Sequence, residues 1–519
     1  MTVAQWRTVA GGYVDSVRLM QVTRRVRELD GVTWVTAVMG TAANLAELRD
    51  AGVADGGLAE VGPDQLVVAV MAHTAEEAER ALDEAVAAVK ADDRGGQAAG
   101  GPTGAPPART QAEATAQLSD AGLTVVSVPG DYAALEAHKA LTAGRHVLVF
   151  SDHVALADEV ALKQRGAANG LLVMGPDAGT AAISGVGLGF ANAVARGPVG
   201  VVAAAGTGAQ EIMSLVGQWG SGVSHVLGLG GRDLSREVGA LSARQAIAHL
   251  RADAGTEVVV VVSKPPSRQV AERVLADLAG LSAVVAFLGL ADADHLAVPE
   301  GVAVADTLEG AALAAVEAAG HPRPNLTADL AEAAAAAADG LGAHRRALRG
   351  LFTGGTLCYE TMVLASRRLG AVHSNAPLRD EWAAPAPEGA HVCLDLGEDE
   401  YTRGRPHPMI DPEARLEHID AAGDDAHTAV VLLDVVLGHG AHGDPAGVVA
   451  PACEQLTGGD DSPAVVASVL GTDDDPQHRA AQRERLRQAG CWVAPTAARA
   501  ALLATAIAER RPETAVEPA

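Results

Sequence analysis

The sequence predicts an α/β protein in which two tandem copies of one parallel α/β unit follow a short parallel α/β domain and a small α+β domain. Three observations predict it. First, residues 203–211, AAAGTGAQE, and residues 352–360, FTGGTLCYE, are the same strand–glycine–helix opening, with Gly206-Thr207 over Gly355-Thr356 and Glu211 over Glu360. Second, the likeness continues downstream. SHVLGLGGRDLSREVG lies over AHVCLDLGEDEYTRGR, TEVVVVVSKPP over TAVVLLDVVLG, SAVVAFLGL over PAVVASVLG, and GVAVADTLEGAALAA over GCWVAPTAARAALLA. A repeat of this length is a large supersecondary unit. Third, residues 121–175 alternate short apolar runs (LTVVSVP, HVLVF, GLLVMG) with helical periods, the pattern of a parallel sheet.

The elements follow in order. Residues 1–93 read as the α+β domain: strands in WRTVAG, GVTWVTAVMG and DQLVVAVMA, and helices over 14–29, NLAELRDAG and AEEAERALDEAVAAVKA. Residues 94–114, rich in Gly, Pro and Ala, have linker composition. Residues 115–180 form the short parallel domain. The first repeat copy runs over 181–322, a helical connector over 323–346, the second copy over 347–511, and a loose tail over 512–519.

Composition bounds the function. The chain has 519 residues, 48% hydrophobic, enough for several packed cores. Its net charge is −26, which argues against nucleic acid and anionic membrane surfaces as partners. Cys358, Cys393, Cys453 and Cys491 form no C-x-x-C pair and read as reduced, buried thiols. No apolar run reaches transmembrane length, and the first residues carry no signal-peptide hydrophobic region, so a cytoplasmic location is expected.

A glycine turn between a strand and a helix leaves backbone N–H groups aimed outward at the positive end of the helix dipole. One such turn is more often a tight joint than a site, but here there are two. Gly206, Thr207 and Gly208 with Gly355, Thr356 and Leu357 are therefore candidate phosphate- or carboxylate-binding residues. The loop YTRGRPHPMIDP (401–412) places Arg403, Arg405 and His407 among stiffening prolines. The aligned loop of the first copy holds Arg232 and Arg236. An arginine fork suits carboxylate or phosphate; the alternative is a surface salt bridge. Glu211 and Glu360 either orient these arginines or favour their own helix starts electrostatically. Asp177 and Asp434 stand at expected C-terminal ends of strands, where open parallel sheets place ligands. HGAHGD (439–444) offers metal-ligating side chains, but is read as a polar ligand loop, with no metal expected.

GPDAGTAAISGVGLGFANAVARGPVGVVAAAGTGAQEIMS, MGTAANLAELRDAG, FTGGTLCYETM, LDLGEDEYTRGRPHPMIDPEARLEHI and LLDVVLGHGAHGDPAG resemble the FdrA family of acyl-CoA-synthetase-like proteins, across nearly the whole chain apart from the linker. More distantly, the two copies are similar to the paired flavodoxin-like domains of succinyl-CoA synthetase, and residues 115–180 to a truncated Rossmann-like, CoA-binding-type domain. The resemblance implies that the two helix starts face each other around one phosphate. The chain departs from that enzyme in three ways. It has no stretch suited to an ATP-grasp domain, no Gly-His-Ala-Gly loop in the first copy, and no glycine-rich nucleotide loop ahead of Leu123.

The FdrA resemblance further implies a subunit of a carbamoyltransferase of ureide breakdown, exchanging oxalurate and phosphate for oxamate and carbamoyl phosphate. Phosphate and carbamoyl phosphate would then be substrates. No cofactor is certain, and coenzyme A is left open. Partners would be small anions and other carbamoyltransferase subunits in a hetero-oligomer, or further copies of the chain. Arg405, with Arg403, would contact the carboxylate or phosphate, and His407 would shuttle the proton. Two alternatives remain: an acyl-CoA synthetase subunit working with a separate ATP-grasp chain, and a non-catalytic scaffold.

Overall fold

A computed structural model describes residues 2–9, 16–27, 29–54, 56–62, 65–95, 108–290, 296–402, 406–459 and 461–519. The chain divides into two compact units, residues 1–119 with 403–406, and residues 120–402 with 407–519. The middle of the expected linker, 96–107, lies outside the described residues, as do Arg403 and Arg405.

The first unit begins with β1 (Val3–Val9), α1 (Ser16–Arg27), β2 (Val32–Met39), α2 (Ala42–Asp50), β3 (Leu66–Ala72) and α3 (Ala75–Gly95). The sheet order is β1-β3-β2, antiparallel throughout. β3 is apolar at every position because it is central and covered twice. Val68 and Val70 face a core with Val26, Leu82 and Ala85, while Val67 and Ala69 face Leu45, Leu48 and Leu58. α4 (Gln111–Gln117) is capped by Thr110, whose side chain accepts from the Glu113 N–H.

The second unit opens with β4 (Leu123–Val126), α5 (Gly130–Thr142), β5 (His146–Val149), α6 (Leu156–Ala168) and β6 (Val173–Met174), a three-stranded parallel sheet. A hairpin follows, β7 (Thr180–Ile183) and β8 (Val186–Gly189), turning on Ser184 and Gly185, both at positive φ. It forms the edge of the next sheet, which is built by β9 (Arg196–Ala204), α7 (Gly206–Gln218), β10 (Val223–Gly228), α8 (Leu241–Ala252), β11 (Val258–Ser263), α9 (Arg268–Leu278), β12 (Ser282–Phe287), β13 (Val302–Val304) and α10 (Leu308–Ala318). α11 (Leu330–Asp339) connects to the second copy: β14 (Ala347–Phe352), α12 (Gly355–Leu369), β15 (Val372–His373), β16 (His391–Asp395), α13 (Asp399–Thr402), α14 (Leu416–Asp424), β17 (Thr428–Val436), α15 (Pro445–Thr457), β18 (Ala464–Leu470), α16 (Arg479–Gln488), β19 (Trp492–Val493) and α17 (Ala497–Glu509).

The two sheets run β13-β12-β11-β9-β10-β7-β8 and β15-β16-β14-β17-β18-β19. Apart from the edge strands β7, β8 and β15, both have the doubly wound order second, first, third, fourth, fifth, which is flavodoxin-like. Central strands read as continuous apolar runs because helices cover both faces. Every residue of β11 and of β17 is buried. Residues of α7, α10, α12 and α17 share one apolar core, so the two copies are packed helix against helix.

All four cysteines are free and buried, as expected. The tail departs from expectation. Residues Pro512–Val516 form a 3₁₀ helix, Thr514 and Ala515 are fully buried, and Arg499 donates to the Glu517 carbonyl at 2.7 Å. Buried contacts, not position at the chain's end, decide whether a terminus is loose. Among the described residues no helix is long and apolar enough to cross a membrane.

Candidate functional site

One residue separates β9 from α7 and two separate β14 from α12, and the two helix starts meet. A Cβ placed on Gly354 would lie 2.8 Å from Thr207 Cγ2, and one on Gly208 would lie 3.1 Å from Thr356 Cγ2. The glycines are there because a neighbouring helix start fills the space a side chain would need. Gly206, Thr207, Gly208, Gly355 and Thr356 are thus one cluster, with both threonines buried. Leu357 belongs to the apolar core, leaving only its backbone N–H for the site. The first N–H groups of each helix have no intrahelical acceptor.

The two starts differ in what stands before them. In the second copy, the Thr353 and Gly354 N–H groups both donate to the Asp434 carboxylate at 2.7 Å. Asp434 is fully buried and lies 3.4 Å from the Arg415 guanidinium. Arg415, also buried, donates to Thr353 Oγ1, the Asp434 carbonyl and the Leu351 carbonyl. Asp395, the last residue of β16, leans over the same start: a Cβ on Gly355 would collide with its Oδ2. In the first copy neither carboxylate exists. The strand register puts Gly228 and Val262 opposite Ala203, where the second copy has Asp395 opposite Phe352 and Asp434 one residue beyond the Leu433–Leu351 pair. A Cβ on Gly206 would meet nothing within 4 Å. The start of α7 is therefore open, and that of α12 is held by the chain's own carboxylates.

Three further side chains converge here. Lys264 leaves the end of β11, two residues beyond Val262, whose methyl would meet a Cβ on Gly208 at 3.2 Å. Its ammonium stands 5.6 Å from the centre of the Tyr359 ring of α12, an approach typical of cation–π contact, and it acts electrostatically on Asp395. Asp395 Oδ1 accepts from the Gly397 N–H at 3.0 Å. Burial, and then Glu398, push this carboxyl up to about 7. His407 lies against the same turn, since a Cβ on Gly397 would crowd its Nε2. Its Nδ1 accepts from the Met409 N–H at 3.1 Å, so the neutral ring carries its proton on Nε2, and burial holds it below the ordinary histidine value. Such an imidazole donates a hydrogen bond rather than collecting a proton. Asp395 and Lys264 went unread in the sequence. Asp395 carried a signal, being an acid at the end of an apolar strand where the first copy has none.

The other expected residues fall elsewhere. Glu211 and Glu360 accept from helix starts other than their own. Glu211, on α7, accepts from the Ala497 N–H at the start of α17, and Glu360, on α12, accepts from the Leu308 N–H at the start of α10. Each copy thereby caps the last helix of the other. Both are buried, which pushes Glu211 up to about 7 and Glu360 up to about 8. Arg232 joins a buried ion network instead of a helix start. Its Nε lies 2.8 Å from Glu159 Oε2, and Lys163 bridges Glu159 and Asp233 at 2.8 Å each. This network ties α6 to the loop after β10. Arg236 is exposed on that loop. Asp177 stands after β6, its N–H donating to the Ser151 carbonyl, and burial with Asp152 pushes it up to about 6. Among the described residues no group of His, Cys, Asp and Glu could hold a metal ion. At the first strand-to-helix turn of the three-stranded domain, a Cβ on Gly130 would meet the Asp152 and His153 carbonyls, and Asp131 lies in the first turn of α5.

Comparison with known proteins agrees with this architecture. A family model described as CoA-ligase matches residues 351–507, and one described as AllF, heavy metal-associated domain, matches residues 1–105. That stretch contains no cysteine. The protein is 36% identical over 509 residues to the uncharacterized protein YahF of Escherichia coli strain K12, covering 95% of this chain and 96% of YahF. Among solved structures it is similar to PH0766 of Pyrococcus horikoshii OT3, at 13% identity and a TM-score of 0.29 over 76% of this chain and 85% of that one. It is similar also to ATP citrate lyase of Methanothrix soehngenii, at 16% identity and a TM-score of 0.31 over 41% of this chain and 37% of that one. With a CoA-ligase-type domain behind an AllF-type N-terminal domain, and likeness to YahF along its length, the chain belongs to the FdrA family of acyl-CoA-synthetase-like proteins.

Proposed function

We propose that the chain is a subunit of an enzyme moving a carbamoyl group between an amide nitrogen and phosphate, as in the exchange of oxalurate and phosphate for oxamate and carbamoyl phosphate. The observation that carries this reading is the open start of α7, free of carboxylates while its twin is filled by them. Phosphate sits at that start on the N–H groups of Gly206, Thr207 and Gly208 and on the Thr207 hydroxyl, with Lys264 supplying the opposite charge. Phosphate enters as phosphate, so the absence of a phosphohistidine loop and an ATP-grasp stretch fits. Carbamoyl phosphate is itself the activated product, so no thioester is needed. The His407 Nε2–H donates to the oxygen on which negative charge develops. Arg403 and Arg405 receive the substrate's carboxylate, and partner subunits complete a cytoplasmic hetero-oligomer.

The test is to purify the full chain with the proteins that accompany it and to assay phosphate-dependent cleavage of oxalurate. Carbamoyl phosphate should form, and Arg405→Lys should lower kcat/KM by roughly ten- to a hundredfold, the value of one charge-assisted hydrogen bond. The CoA-ligase match at 351–507 favours a second reading, a synthetase subunit. Saturable binding of coenzyme A, or an acid-labile phosphate on the chain after incubation with ATP, would select it over the first.

A further inference from the structure

Resting on that reading, we infer that Asp395 carries the proton of the reaction, taking it from hydrogen phosphate as the new O–C bond forms and returning it to the amide nitrogen as the C–N bond breaks. The balance closes without another reactant. Hydrogen phosphate brings one proton, the departing nitrogen of oxamate needs one, and the carboxyl ends as it began. One electron pair moves from phosphate oxygen to the carbamoyl carbon, and one leaves with the nitrogen.

The geometry selects this residue. Asp395 is buried, only 4% exposed, and its two oxygens have different surroundings. Oδ1 is anchored by the Gly397 N–H. Oδ2 accepts no hydrogen bond from the described residues and stands over Gly355, next in the chain to Gly354, against which Thr207 packs. It thus lies one residue along the chain from the contact between the two helix starts, where Lys264 of the first copy acts on it electrostatically. A carboxylate present only to cap α12 would take that helix's N–H groups and sit below the usual range. Asp434 already holds the Thr353 and Gly354 N–H groups, and Asp395 is pushed up to about 7 instead. The charged groups facing it are Glu398 from the following turn, Lys264 from the end of β11 and Asp434 from β17, with His407 across Gly397. Burial first, then the two acids, raise its pKa, while the Gly397 N–H and Lys264 restrain it, leaving a group that gives and takes a proton near neutrality. His407 has one nitrogen engaged and its pKa lowered, so it does not compete for this role.

The experiment compares the wild-type chain and Asp395→Asn, each purified with its accompanying proteins, in oxalurate phosphorolysis across about pH 5.5–8.5. The expected result is a fall in kcat of roughly 10²- to 10⁴-fold, a phosphate KM within about threefold of wild type, and loss of the limb near pH 7. Thermal melting should be unchanged or raised. An Asn variant that keeps wild-type kcat with the limb intact overturns the role alone. Should the variant fail to fold, the wild-type profile decides: a kcat flat across that range overturns the role, and a single ionisation near 7 supports it. A wild-type complex with no phosphate-dependent cleavage overturns the reaction and this role together.

Discussion

The two repeat copies share a strand order and a glycine turn, yet their helix starts stand in different surroundings. At α12 the positive end of the helix is met by Asp434 before it and Asp395 above it. At α7 the same register positions carry Val262 and Gly228, and a Cβ on Gly206 would meet nothing within 4 Å. On the proposed function, a duplicated scaffold is divided into a holding half and a receiving half. Two buried acids, with Arg415 to balance one of them, are enough to make the difference.

The largest test breaks the holding half. Arg415→Ala would leave the Asp434 carboxylate buried without its cation, which should cost about 3–5 kcal/mol in denaturant unfolding. The equivalent residues of the first copy contain no such pair, so their replacement should show no comparable loss. An Arg415→Ala protein as stable as wild type would mean that the α12 start does not depend on its internal carboxylate.

Next comes the crossed pair of glutamates, which sharpens how the halves are joined. Glu360 has a folded-state pKa of about 8, above the ordinary carboxyl value of 4.5, so the folded protein keeps a proton that the unfolded chain has lost. The stability from this group is complete below about 4.5 and disappears as pH rises through about 8. Glu211, at about 7, behaves in the same sense. Unfolding free energy should therefore fall from mildly acidic to mildly alkaline pH. Glu360→Gln keeps an oxygen for the Leu308 N–H and should remove part of the slope, on the order of 3 kcal/mol in favour of the variant at the alkaline end. Parallel pH slopes for both proteins would place the ionisation elsewhere.

How far the sequence carries can be judged from these same residues. The repeat was legible because periodic apolar runs and the Gly-Thr pairs lie on the surface of the text, and the strand order follows from them. That the two helix starts meet was legible only through the resemblance. What the glutamates do was not, because their partners are Ala497 and Leu308, 286 and 52 residues away, and a backbone N–H leaves no mark on a sequence. Arg232 misled for a related reason: aligned with the proline-rich loop, it instead pairs with Glu159 of a different sheet's helix. The β7–β8 hairpin had a readable signal in Ser184-Gly185, masked by the low apolar content of the strands around it.

A finer test separates the halves by function. Thr207→Val removes a hydroxyl from the open start and should lower kcat/KM for phosphate by roughly ten- to a hundredfold, the range of one hydrogen bond to a charged group. Thr356→Val should change it less than about threefold, because that start is already filled. Equal losses from both would restore a symmetric clamp and remove the distinction drawn between the copies.

The smallest effect is expected at Gly206, and it is the most discriminating. Its φ is not positive, and a methyl group there meets no atom within 4 Å, so Gly206→Ala should fold within about 0.5 kcal/mol of wild type, or slightly better as a helix former. Gly355→Ala has no such freedom, since its methyl would drive into Asp395 and move the carboxylate from the second start. The two alanines therefore report on different things. At Gly355, melting temperature and turnover should fall together. At Gly206, melting should hold while the KM for phosphate rises, because the methyl occupies the space the anion needs. If Gly206→Ala leaves phosphate KM unchanged in the purified complex, the opening before α7 is only empty surface, and the receiving half must be sought elsewhere in the fold.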